Sequence, residues 1–170
     1  MSNTAHINFR LLNRLANGKI VNLVDKVVNR IEQDNLPHPY VLVLGTTMAY
    51  QRKLYPQALD KKNISSMVPT PEEQEIIEDM ICRIKSYRRA DPTTLLNIIN
   101  RKIHLSCTQN NPITHILLGC TELTIALRGK SEELKALIKA QYGIELHIID
   151  SEELFAKTIA EDVITSCNIT

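Results

Sequence analysis

With 170 residues and 44% hydrophobic content, the chain can bury a substantial core; 20 Lys and Arg against 19 Asp and Glu leave it nearly neutral. The lack of a basic excess argues against a dedicated nucleic-acid or membrane-surface protein, and 4% aromatics leave little for base stacking. No apolar run approaches the roughly 18 residues of a membrane span, and Met1 to Phe9 lacks the basic head and apolar stretch of a signal peptide. The four cysteines, Cys82, Cys107, Cys120 and Cys167, show neither a C-x-x-C pair nor metal-ligand spacing. They read as reduced thiols of a cytoplasmic protein, at most one of them chemically active.

Ser2 or Thr4 can cap a first helix running to about Ala16, which Asn17-Gly18 ends. Lys19 to Val24 is β-branched and predicts a short strand; Asp25 then caps a helix with Val27, Val28 and Ile31 on one face. The two prolines of Leu36-Pro37-His38-Pro39 interrupt any regular element and mark a lobe boundary. Tyr40 to Leu44 is apolar without alternation, as expected of a strand covered on both faces. After Gly45-Thr46-Thr47 a helix is predicted to about Leu59, then a weaker strand over Ile64 to Val68. Thr70-Pro71-Glu72-Glu73 starts a helix to about Tyr87, and Asp91-Pro92 starts another ending near Cys107. Ile113 to Leu118 is an apolar strand delivering Gly119-Cys120, with helices near Thr121–Leu127 and Ser131–Tyr142. Leu146 to Ile149 is the last strand, and Asp150 or Ser151 caps the terminal helix.

Strands alternating with helices predict an α/β fold with a parallel sheet flanked by helices. Ligands of such sheets bind at the carboxyl ends of the strands, which is where Thr46-Thr47, Cys120-Thr121 and Asp150 fall. Cys120 lies between a buried strand and a helix start, where backbone N–H groups favour a thiolate that takes a proton from carbon or attacks an electrophile; the competing reading is a small buried apolar cysteine. The Thr121 hydroxyl can hold a carboxylate, and Glu122 can bind an amino group or tune Cys120. Ser2 needs a neighbouring base, and His6 is the candidate; otherwise Ser2 is a helix cap. Lys85, with Arg83, Arg88 and Arg89, forms a basic patch that suits a side-chain carboxylate or merely ends its helix. Thr46 and Thr47 either donate to a carboxylate or cap the next helix, and Asp150 reads as a cap. His38, His104, His115 and His147 form no ligand spacing and read as structural or exposed, so no metal site is expected.

Ser2-Asn3-Thr4-Ala5-His6 resembles the Cys-Asn-Thr-Ala-His motif of the aspartate/glutamate racemases, and Leu117-Leu118-Gly119-Cys120-Thr121-Glu122-Leu123 closely resembles their second-cysteine motif. Val41 to Thr47 with Leu54-Tyr55, Val68 to Glu75, and Ile148-Ile149-Asp150 are similar to further segments of that family, in the same order. The resemblance implies a cofactor-independent reaction in which two residues flank the α-carbon of an acidic amino acid, one removing the proton and the other returning it. Carried over by position, Cys120 matches the second of these residues and Ser2 the first. Asn3, Thr4 and Thr121 match residues holding the α-carboxylate, Thr46 the first Thr of a lobe-opening loop, and Lys85 a Lys that meets the side-chain carboxylate.

The same resemblance implies a pseudo-symmetric two-lobe architecture with an incomplete first lobe: residues 37–150 as a complete second lobe, 1–36 and 151–170 as the remnant of the first. Three departures stand out: Ser2 in place of a cysteine, Ala49 in place of a substrate-contacting Thr, and Met1 where strands of the first lobe should already have ended. Apolar surface left by missing strands would favour self-association, so a homodimer or larger assembly is expected. A small-molecule acidic amino acid is the expected partner, with neither nucleic acid nor membrane. A non-catalytic relative binding an acidic metabolite or partner protein, and a one-cysteine decarboxylase or lyase, are the alternatives.

Overall fold

The computed structural model describes residues 3–17, 20–87 and 91–167. Four strands, β1 (Tyr40–Gly45), β2 (Ser65–Met67), β3 (His115–Gly119) and β4 (His147–Asp150), form one parallel sheet in the order β2-β1-β3-β4. The α/β class with a helix-flanked parallel sheet is therefore as expected. The chain leaves β1 toward one edge and returns to its other side with β3. The sheet thus has a topological switch point between the carboxyl ends of β1 and β3, the place where open α/β sheets take ligands.

Alternation along β1 builds two cores. Leu42 and Leu44, with Ile116 and Leu118 of β3, face α5 (Pro71–Tyr87), α6 (Pro92–Thr108), α7 (Thr121–Leu127) and α8 (Ser131–Tyr142). Val41, Val43, Leu117 and Ile149 face the other way, onto α2 (Leu23–Gln33), α4 (Leu54–Asp60) and the start of α9 (Ser151–Cys167). Each strand residue of β1 and β3 is thus covered on its own side, which explains the uninterrupted apolar runs.

Three local expectations fail for identifiable reasons. Residues 3–16 are a 3-10 turn, Asn3–Asn8, followed by α1 (Phe9–Leu15), rather than one helix; Asn8, at φ −104° and ψ 23°, separates them. The predicted strand at 19–24 is absent over its described residues: Leu23 opens α2, and the cap is Asn22 rather than Asp25. The Asn22 side chain accepts from Val24 N (3.1 Å) and Asp25 N (3.4 Å). The single helix expected to Leu59 is α3 (Thr47–Gln51) and α4, divided at Lys53 in the left-handed region (φ 50°). Pro56 accounts for the break, because in a continuous helix its ring would clash with the Arg52 carbonyl and its missing N–H would leave that carbonyl unpaired.

Candidate functional site

Cys120 is the residue that leaves β3 and caps α7, with extended backbone (φ −160°, ψ 138°). Gly45 and Gly119 are paired across β1 and β3, so Thr46 and Cys120 leave neighbouring strand ends at the switch point. Gly119 is closely packed: a Cβ there would lie 3.0 Å from the Leu44 carbonyl oxygen and 3.0 Å from the Tyr55 ring, so a larger residue would have to push its neighbours aside.

The Cys120 thiol is buried and donates to Glu122 Oε2 at 2.7 Å; the same oxygen accepts from the Thr121 hydroxyl at 2.9 Å. Lys85 Nζ stands 4.0 Å from Glu122 Oε1. The structure thus gathers four of the expected residues, Cys120, Thr121, Glu122 and Lys85, into one cluster. Thr46 caps α3, its side chain accepting from Ala49 N at 3.3 Å, and the Thr47 N–H donates to Glu78 Oε2 at 2.7 Å. Asp150 caps α9 by accepting from Glu152 N (2.9 Å) and Glu153 N (3.2 Å). Arg83 is taken up by Asp79 at 2.7 Å; Arg88 and Arg89 lie outside the described residues.

The expected thiolate is not what this geometry favours. Burial, and then the hydrogen bond to the Glu122 carboxylate, push the Cys120 thiol up to about 12. A full negative charge on the next residue but one outweighs the fractional positive charge of a helix only seven residues long. Burial alone would raise Glu122, but hydrogen bonds from Cys120, its own backbone and Thr121, with Lys85 nearby, bring it below the usual carboxylate value. The resting site is therefore a protonated thiol beside an ionised carboxylate.

This reverses the labelling order that a reactive thiolate would give. Near neutral pH, iodoacetamide is expected to modify exposed Cys82 ahead of Cys120, and the Cys120 rate should keep rising well above pH 9. Glu122→Gln removes the anionic partner and should bring the Cys120 rise to lower pH, read as residue-resolved alkylation against pH. A Cys120 rate that levels off near pH 7 in the unsubstituted chain would contradict the protonated assignment.

On the first motif, Ser2 and the side chains of Asn3 and Thr4 lie outside the described set. The 3-10 turn that carries Asn3 and Thr4 packs against α3 and α2, which brings that segment near Thr46 and Thr47. His6 is buried, stacks on Phe9 with ring centroids 5.7 Å apart, and accepts from Leu23 N at Nε2 (3.0 Å). With the Nε2 lone pair on that amide, His6 clips the N-terminal segment to the start of α2; its expected help to Ser2 concerns a residue outside the described set.

Two α5 residues at the site escaped sequence reasoning. Gln74 is buried and donates from Nε2 to the Gly45 carbonyl at 3.0 Å, while its Oε1 has no partner among the described residues. Glu78 holds the Thr47 amide. Gln74, Glu78 and Lys85 stand at i, i+4 and i+11, one helical face, so α5 lies along the site from the end of β1 to the start of α7. That spacing was the available signal.

At the amino ends of the strands the reading of the histidines needs correction. His115 and His147, paired across β3 and β4, stack at 5.0 Å and both face Asp34 at the end of α2. His115 Nε2 is 3.2 Å and His147 Nδ1 3.4 Å from Asp34 Oδ2, and an ion pair joins Arg30 to Asp34 Oδ1. Spacing along the chain concealed the cluster because parallel register, not sequence proximity, assembles it. Burial, opposed by the Asp34 hydrogen bond, pulls His115 below the ordinary histidine value.

A thiol, a carboxylate, a hydroxyl and an ammonium are gathered at the switch point of a parallel sheet, which makes the strand ends the candidate site of this α/β fold. Solved structures share this fold. An aspartate racemase homologue from Pyrococcus horikoshii OT3 is 25% identical, with a TM-score of 0.68 over 94% of this chain and 63% of its own. Picrophilus torridus aspartate racemase is 24% identical, with a TM-score of 0.58 over 89% of this chain and 55% of its own. Bacillus anthracis glutamate racemase isoform RacE1 is 16% identical, with a TM-score of 0.60 over 97% of this chain and 56% of its own. No family sequence model and no curated protein sequence matches the chain. The chain therefore shares its fold with these aspartate and glutamate racemase structures, and it spans less than two thirds of the length of each of these relatives.

Proposed function

We propose that the Cys120 cluster moves a proton at the α-carbon of an acidic amino acid, aspartate or glutamate, by the cofactor-independent chemistry of an amino-acid racemase. The observation that supports this most directly is the Cys120–Glu122 hydrogen bond at the switch point, flanked by Thr121 and Lys85. Cys120 is the acid and base on one face of the α-carbon. Glu122 keeps the thiol protonated until a substrate ammonium competes for the carboxylate, which frees Sγ to pass its proton to solvent water and then take the α-proton. The Thr121 hydroxyl and the Thr46–Thr47 turn bind the α-carboxylate, with Asn3 and Thr4 from the other side. Lys85 meets the side-chain carboxylate, for which its 4.0 Å contact with Glu122 is weak competition. Ser2 would serve the second face, and with His6 committed to Leu23 that face is the slower one.

A one-faced enzyme, a decarboxylase or lyase that protonates a carbanion through Cys120 alone, is the second reading. The protonated resting thiol favours it. The exposed Leu11 and Leu15 of α1 fit a homodimer or larger assembly, and reduced thiols fit a cytoplasmic setting. No helix among the described residues is long and apolar enough to cross a membrane.

The deciding experiment is α-proton exchange in D2O with L- and D-aspartate and L- and D-glutamate. Deuterium uptake with the opposite enantiomer appearing means a racemase. Uptake without inversion means Cys120 works on one face only. No uptake with any of the four leaves a non-catalytic binding protein for an acidic metabolite or partner.

A further inference from the structure

We propose that Asp34, His115 and His147 form a binding site for a divalent transition-metal ion, zinc-like in its preference for imidazole and carboxylate. This site is separate from the Cys120 cluster: it stands at the amino ends of β3 and β4, whereas Cys120 follows the carboxyl end of β3.

The distances carry the inference. One donor atom from each residue lies within 4.8 Å of the others. A tetrahedral ion with bonds of about 2.0–2.1 Å sets neighbouring donors about 3.3 Å apart. Asp34 Oδ2 is 3.2 Å from His115 Nε2 and 3.4 Å from His147 Nδ1, so two edges of the tetrahedron are already formed. The two imidazole donors lie within 4.8 Å of each other, and the His147 side chain, 29% exposed, has room to turn toward a shared ion. Water would complete the coordination, since His147 lines an open surface cleft with Arg30 and Ile148.

The surrounding groups suit a ligand set. A coordinating histidine normally gives its other ring N–H to an oxygen acceptor. His115 Nδ1 is 2.8 Å from the Thr114 hydroxyl, which is itself 3.3 Å from the Tyr40 carbonyl oxygen. Without an ion, Nε2–H donates to Asp34 Oδ2; with an ion in its place, the Thr114 hydroxyl, donating to Tyr40, can accept from Nδ1–H and leave the Nε2 lone pair for the metal. Arg30 binds Asp34 through Oδ1, which orients the carboxylate and leaves Oδ2 toward the imidazoles. Of the three lysines lining the same cleft, Lys135 is paired with Glu132 and Lys157 with Glu153, while Lys26 adds a further cation to its wall. Arg30 remains a cation beside the site, so the expected affinity is micromolar rather than that of a structural zinc site.

Titrating the full chain with Co2+ and with Zn2+ tests the proposal. The expected result is one ion per chain and visible cobalt d–d bands without a thiolate-to-cobalt charge-transfer band. His147→Gln should weaken binding by about 100-fold or more, beyond the ~10–100-fold typical of losing a group that only orients a ligand. In parallel, Zn2+ should shift the imidazole resonances of His115 and His147 and leave those of His38 and His104 in place, a readout that needs no variant to fold. Absent d–d bands, a thiolate charge-transfer band, unchanged affinity in His147→Gln, or shifts confined to His38 and His104 would each overturn the assignment.

Discussion

Cys120→Ala is expected to slow α-proton exchange of aspartate or glutamate by about 10²–10⁴-fold, the usual worth of one positioned acid or base. Sγ is held at the switch point by the β3–α7 junction, and Thr121, Glu122 and Lys85 bring opposite charges around it. Alanine removes the proton carrier while keeping the small buried volume, and the extended backbone at 120 suits any residue, so the fold should survive. Cys82→Ala, on the exposed surface, is the control and should leave exchange unchanged. Glu122→Gln separates two roles of the carboxylate. If Glu122 only restrains the thiol, the variant should keep exchange and shift its pH dependence downward; if it also binds the substrate ammonium, KM should rise. Exchange that persists at full rate in Cys120→Ala would remove Cys120 from the chemistry and leave the hydroxyl groups of the N-terminal motif to explain it.

Much of this site was legible because its motif is local. Gly119, Cys120, Thr121 and Glu122 are consecutive, and an apolar run before them and a helix-forming run after them fix where they stand. The state of the thiol was not legible. Position at a helix start argues for a thiolate, whereas burial and one particular Glu122 rotamer argue for the protonated form, and only coordinates show which prevails. Nor was the Leu23 amide that the fold sets against His6 Nε2 legible, because that contact joins residues 17 positions apart. In the fold, long strands and capped helices such as α5 and α6 were readable from Thr70-Pro71 and Asp91-Pro92. The region at 19–24 was not, because Leu23 and Val24 open α2 and pack on the sheet, whereas Ile20 and Val21 precede the helix in no regular element. The pairing of His115 with His147 depends on strand register, which no spacing rule along the chain reports.

Tyr55→Ala should be the costliest single change beneath the site, destabilising the chain by about 3–5 kcal/mol, the range for deleting a buried aromatic ring. Tyr55 is 1% exposed and belongs to α4, yet its ring fills the space above Gly119 that a Cβ would occupy. Its hydroxyl bonds to Ser151 at the start of α9, and the Ser151 hydroxyl donates to the Leu118 carbonyl at 2.8 Å. One side chain therefore ties α4, β3 and α9 together next to Cys120. Tyr55→Phe keeps the ring and loses only the hydroxyl bond, so about 1 kcal/mol is expected. Gly119→Ala should cost about 1–3 kcal/mol by overpacking. In the Tyr55→Ala background its ring clash disappears, but the Leu44 carbonyl, as backbone, still stands 3.0 Å away. The two substitutions should therefore combine to less than the sum of their separate costs, though not to zero additional cost. Urea midpoints at constant m value measure all four quantities. A Tyr55→Ala loss below about 1 kcal/mol, or strict additivity with Gly119→Ala, would mean that the ring does not set the position of the Gly119–Cys120 turn.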